Sequence, residues 1–121
     1  MKNVVLNLSV DENTAAPSVI KTFRITHDLV LSEVEMISID DSFGYGGIKL
    51  MIGEDHGVIP DPQYGDQYFT GISGTSLKFR EDLLIMKGTW IRVIGLNTDT
   101  SPKRFILKLE FKPYVPPEET S

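Results

Sequence analysis

The segment GEDHGVIPDPQYGDQYF, residues 53–69, concentrates the side chains that could do chemistry in this chain. Glu54, Asp55 and His56 are contiguous, and a histidine beside a carboxylate can act as a general base. Neighbouring side chains diverge in a strand but can converge in a loop. His27 could join His56 only if the fold brings the two together. No serine or threonine stands in a recognisable nucleophile setting, and the two histidines lack metal-ligand spacing. No catalytic residue is assigned on this reading.

Asp40 and Asp41 precede the Gly-rich run SFGYGG. With Asp55, Asp61 or Asp66 they could supply oxygen ligands to calcium. The spacing of an EF-hand loop is absent, and aspartates are common in solvated turns for local hydrogen bonding. No metal site is assigned. GISGTS, residues 71–76, lacks the Lys-Ser or Lys-Thr ending of a phosphate loop, so no cofactor is expected.

Contact chemistry has the better case. Tyr64, Tyr68 and Phe69, with Asp66 and Gln67 between them, combine aromatic platforms with polar neighbours. That combination suits a sugar or a partner protein. Phe43 and Tyr45 join them if the two loops are neighbours, and His56 lies in the same long loop. The alternative is that these rings simply cover the open end of a β scaffold. Trp90, the sole tryptophan, reads as a core or interface residue.

The elements that must position these residues are strands, because period two runs through the chain. In VVLNLSV, residues Val4, Leu6, Leu8 and Val10 share a face. In SVIKTFRITH, Val19, Lys21, Phe23 and Ile25 oppose Ile20, Thr22, Arg24 and Thr26. LVLSEVEMISI changes apolar parity near Met36, which predicts a bulge there. GGIKLMIG is a short strand, TSLKFRED alternates Leu77 and Phe79 against Lys78 and Arg80, and GTWIRVIGL is apolar on both faces. KRFILKLEFK points Phe105, Leu107, Leu109 and Phe111 inward, as a half-buried antiparallel strand does. REDLLIMKG fits either one turn of helix or a strand with a hairpin corner at Lys87-Gly88.

The expected fold is all-β: an antiparallel β-sandwich, jelly-roll-like, of roughly seven to eight strands. The 121 residues suit a single sandwich domain over residues 1–112. Pro113, Pro116 and Pro117 then begin a Pro/Glu-rich tail over residues 113–121, since proline lacks the ladder donor.

Composition removes several function classes. There is no cysteine, which excludes a disulfide framework and thiolate chemistry. The net charge of -5 argues against sequence-independent nucleic-acid binding. No apolar run is long enough to insert in a membrane, and MKNVVLNLSV alternates too much for a signal-peptide core. A soluble protein is expected, on a virion or other surface particle in the leading case. Residues 28–66 hold nine carboxylates and one lysine, whereas residues 67–112 hold four carboxylates and eight basic residues. Either two electrically different surfaces result, or interleaved strands mix the charges.

The expected function is a non-enzymatic structural or adhesive assembly module that self-associates or joins another structural protein. The pattern over residues 3–112 is broadly similar to small virion or appendage proteins, an analogy at the level of fold. A carbohydrate-binding module that holds a glycan on its loop aromatics is the alternative. A small β-barrel enzyme with a His/carboxylate site is the third.

Overall fold

A computed structural model of the protein describes residues 2–53, 57–60 and 68–115. Those residues form eight strands and no helix: β1 (Lys2–Val10), β2 (Thr14–Arg24), β3 (Leu29–Ser38), β4 (Gly46–Ile52), β5 (Gly57–Ile59), β6 (Ser76–Ile85), β7 (Trp90–Asn97) and β8 (Lys103–Pro113). No helix among them is long and apolar enough to cross a membrane.

The strands make two antiparallel four-stranded sheets, ordered β1-β8-β3-β6 and β2-β7-β4-β5. The ladders β1·β8, β2·β7, β3·β6 and β4·β5 pair the chain as one long hairpin about the β4–β5 turn. The ladders β3·β8 and β4·β7 then close each sheet. The ends of β1, β3, β5 and β7 and the starts of β2, β4, β6 and β8 consequently lie at one end of the molecule, the first end. The opposite strand ends lie at the second.

Alternation explains why the sheets pack face to face. On β8, Phe105, Leu107, Leu109 and Phe111 are all buried, as their spacing predicts. They meet Ile48, Leu50 and Ile52 of β4 and Ile91 and Val93 of β7 in one apolar cluster. Gly95 of β7 is required by this packing. A Cβ there would lie 2.8 Å from Val10 Cγ2 and 3.1 Å from Ile20 Cγ2.

Two expectations about parity are corrected. The bulge in β3 falls between Leu31 and Glu33, in the pairings to both neighbours, rather than near Met36. Leu31 is inward before it, and Val34, Met36 and Ser38 are inward after it. Ser32, at the shift, turns its hydroxyl to the carbonyl of Glu110 at 3.0 Å. In β2 a register shift between Val19 and Lys21 puts Ile20 with Phe23 against the core and leaves Val19 exposed. A bulge inserts one residue and so inverts the simple odd–even reading.

REDLLIMKG is strand up to Ile85 and then a turn. Thr89 N donates to Met86 O at 3.1 Å, and Gly88 supplies the positive φ of 95°. At the C-terminal side β8 runs through Pro113, and Tyr114 N donates to Asp28 O at 3.4 Å. Among the described residues the acidic and basic stretches meet where β3 lies beside β8. Lys108 Nζ sits 3.6 Å from Glu35, and Arg104 Nε sits 2.9 Å from Asp40.

Candidate contact surfaces

The first end is built on a cluster of buried hydroxyls. Ser38 and Ser42 are fully buried. Ser38 Oγ donates to Asp40 O at 2.6 Å and lies 3.2 Å from Ser42 Oγ. Ser42 Oγ accepts from Gly71 N at 3.1 Å and lies 3.1 Å from Thr70 Oγ1. Ser42 N donates to Gly71 O at 2.8 Å, and Ser73 Oγ donates to Ile39 O at 2.7 Å. These bonds fasten the β3–β4 loop to the segment that leads into β6. Buried polar groups that satisfy one another fix a single geometry.

On this fastened base the loop turns tightly. Tyr45 N donates to Ser42 O at 2.9 Å, with Gly44 at φ 85°. Phe43 N donates to Asp41 Oδ1 at 3.2 Å. Phe43 at the tip is 69% exposed, Ile72 across the loop contact is 65% exposed, and Tyr45 is 40% exposed. The loops thus present three apolar side chains on a rigid backbone.

The β7–β8 loop closes the same end. Lys103 Nζ is 2.6 Å from Asp99 and 4.8 Å from the centre of the Tyr45 ring. The hydrogen bond from Lys103 lowers the Asp99 carboxyl from its ordinary range, and the same contact raises Lys103. Thr98 N and Oγ1 both donate to Tyr45 O, at 2.8 and 3.1 Å. The hydrogen bonds and charge of Arg104 hold the Asp40 carboxyl down to about 2, chiefly through its side chain. Asp40 and Asp41 therefore serve separate partners. Among the described residues no group of three His, Asp or Glu is placed to hold a metal ion.

The expected contact residues separate. Phe43 and Tyr45 stand together at the first end. Trp90 lies at the second end, 48% exposed, where its carbonyl accepts from Gly53 N at 2.8 Å. Phe69 is corrected from a contact residue to a core residue. It is buried, its ring meets Phe105 edge-on at 6.3 Å, and its backbone bridges to Ile48. Gly47 permits that approach, since a Cβ there would collide with the carbonyl of Phe69. Tyr68 is half-buried with Lys49 Nζ 4.7 Å from its ring centre. His27 is exposed, its Nδ1 3.1 Å from Thr26 Oγ1. His56, Tyr64, Asp66 and Gln67 lie outside the described residues.

Sequence reasoning missed two features. Ile72 sits in GISGTS, whose Gly and Ser residues signal a loop but not which side chain it exposes. The second is a cleft of about 280 Å³ between β1 and β2, edge strands of the two sheets. Leu6, Phe23, Ile25 and Phe111 are among its apolar lining, and Lys21 and Arg24 also border it. Single-strand periodicity carries no sign of it, because it arises from two strands far apart in pairing.

No family model, no curated protein and no solved structure matches the chain.

Proposed function

We propose that this protein is a non-enzymatic assembly module on a jelly-roll sandwich, a self-associating component of a particle or appendage. Two strand orders produced by rolling one long hairpin support the jelly-roll reading. The single observation that carries the assembly reading is the first end: Phe43, Ile72 and Tyr45 exposed together on loops fixed by buried hydroxyls. Exposed apolar side chains on neighbouring loops that share a fixed base are a common mark of a protein contact. Four edge strands, β1, β6, β2 and β5, add surfaces that association can cover. Symmetric self-association is a common way to bury such surfaces.

Light scattering across a micromolar concentration series tests this. A closed oligomer is expected, and a monomer at every concentration contradicts the reading. One observation favours a second reading. The exposed rings of Phe43 and Tyr45 beside Asp41 and Thr98 also make a sugar platform. A glycan screen with the wild type and with Phe43→Ala checks it: saturable binding lost in the variant supports a carbohydrate-binding module.

A further inference from the structure

We propose that the cleft between β1 and β2 binds a small amphiphilic carboxylate, an anion with a short alkyl tail such as a medium-chain fatty acid. The site stands apart from the apolar loops of the first end, and the proposal holds whether or not the protein associates.

The apolar half of the site lies where burial fails along one face. Val4, Leu6, Leu8 and Val10 share the inward face of β1 and are all aliphatic. Leu8 and Val10, toward the first end, are buried, whereas Val4 and Leu6 are only half-buried. Phe23 of β2 and Leu29 of β3 are half-buried as well, and all four pack against the core. These four line the cleft together with buried Phe111 and Ile25. The space of about 280 Å³ thus uncovers apolar side chains that the strand pattern points inward. It is at the small end of the roughly 300–1,000 Å³ of small-molecule sites, which limits the guest to a short tail.

The polar half is cationic. Lys21 pairs with Val93 and Phe23 with Ile91, and both partners are fully buried. Lys21 therefore holds an inward position on edge strand β2, and it lines the cleft while staying exposed. A lysine so placed lays its alkyl stem on apolar surface and keeps its ammonium at the rim. Arg24 borders the same cleft, with its guanidinium over Gly88, where a Cβ would be 3.4 Å from Nη2. Neither cation makes an ion pair among the described residues.

Among the described residues no carboxylate lines this cleft. That is not a general property of the surface. A second cleft of about 260 Å³, over β1, β8 and β3, is lined by Glu33, Glu35 and Glu110 with Lys108. In a chain of net charge -5, an apolar space bordered by cations alone is complementary to an anion with an apolar tail. A guanidinium can hold a carboxylate by two parallel hydrogen bonds, and Thr26, also in the lining, offers a hydroxyl donor. An inward lysine can instead guard a strand edge against pairing with another sheet. That role needs the charge but no apolar space beneath it, and it predicts no ligand.

The test is calorimetric titration of the full chain with hexanoate, octanoate and decanoate, each below its micelle concentration. Saturable binding is expected, tightening about fourfold per added methylene until the tail outgrows the cleft. Octan-1-ol, with the same tail as octanoate and no charge, is expected to bind about tenfold more weakly. Lys21→Gln with Arg24→Gln is expected to weaken octanoate about tenfold and to leave octan-1-ol unchanged, which an unfolded variant would not do. Leu6→Trp, which fills the cleft from β1, is expected to abolish both. No saturation by any member of the series overturns the proposal and leaves Lys21 the guard role. Equal affinity for octanoate and octan-1-ol also overturns it. So does octanoate binding that survives the double substitution undiminished, since the anion then sits elsewhere.

Discussion

Arg104 holds Asp40 through two parallel hydrogen bonds, Nε to Oδ2 at 2.9 Å and Nη2 to Oδ1 at 3.0 Å. The backbone N of Arg104 also donates to Oδ2, at 2.9 Å. The pair joins Asp40, two residues beyond the end of β3, to the start of β8, at the base of the loops that carry Phe43 and Ile72. A bidentate pair of this kind fixes direction as well as distance.

This pair predicts a pH dependence. The Asp40 carboxyl is lowered from 3.8 to about 2 in the folded protein. A carboxyl lowered by folding contributes stability above its unfolded value and loses it as pH falls through the folded value. Urea unfolding followed from pH 5 to pH 2 should show stability falling most below pH 4. Asp40→Asn should flatten that acid limb by lowering stability above pH 4, where the carboxylate is ionised, and leaving it close to wild type at pH 2. Solvent screening at the exposed Arg104 keeps the effect small. An unchanged acid limb in Asp40→Asn contradicts the role assigned to the pair.

Ser42→Ala should destabilise the fold by about 1–3 kcal/mol, the usual cost of leaving buried polar groups unsatisfied. Ser42 Oγ is the acceptor for Gly71 N, and Thr70 Oγ1 and Ser38 Oγ lie around it. The urea midpoint should fall with little change in slope. A midpoint equal to wild type means that the hydroxyl cluster does not hold the loops.

Gly95→Ala should cost about 1–3 kcal/mol through overpacking. The added Cβ meets both Val10 methyls, at 2.8 and 3.1 Å, in the buried space between the sheets. Val10→Ala removes those methyls and should offset part of the loss, so the double variant should be more stable than the sum of the single changes predicts. Strict additivity in thermal unfolding contradicts the close approach.

What was legible in the sequence followed from period two. The inward set of β8 and that of β1 could be read directly, because neither strand is interrupted. The β6–β7 corner was legible as Lys87-Gly88, since the turn needs the positive φ that glycine adopts without strain. The bulges of β3 and β2 were misplaced or missed, because an inserted residue changes parity without any residue type that marks it. Phe69 was read as a contact residue for a related reason: an aromatic among Tyr, Asp and Gln looks like a surface. Its burial depends on Gly47, more than twenty residues away in sequence, which admits its backbone to β4. Phe43 and Tyr45 join the Tyr64–Phe69 aromatics only if the two loops are neighbours; Tyr64, Asp66 and Gln67 lie outside the described residues, and the contact described is that of Ser42 with Gly71. Ser38 and Ser42 gave no signal, since buried serine is visible only once its partners are known.

The strongest consequence of the first end concerns association. Phe43→Ser with Ile72→Ser should leave stability within about 0.5 kcal/mol, because both side chains are exposed in the single molecule. The same pair should shift the proposed oligomer toward monomer in sedimentation at micromolar concentration, since exposed apolar anchors dominate contact energies. Trp90→Ser supplies the comparison from the opposite end, where an exposed indole lies beside the β4–β5 turn. Loss of mass in the first variant alone places the contact on the β3–β4 loop and Ile72. Loss in Trp90→Ser alone moves it to the second end. Wild-type mass in both variants, with the fold intact, means that neither apolar surface is the contact, and association then runs through the strand edges.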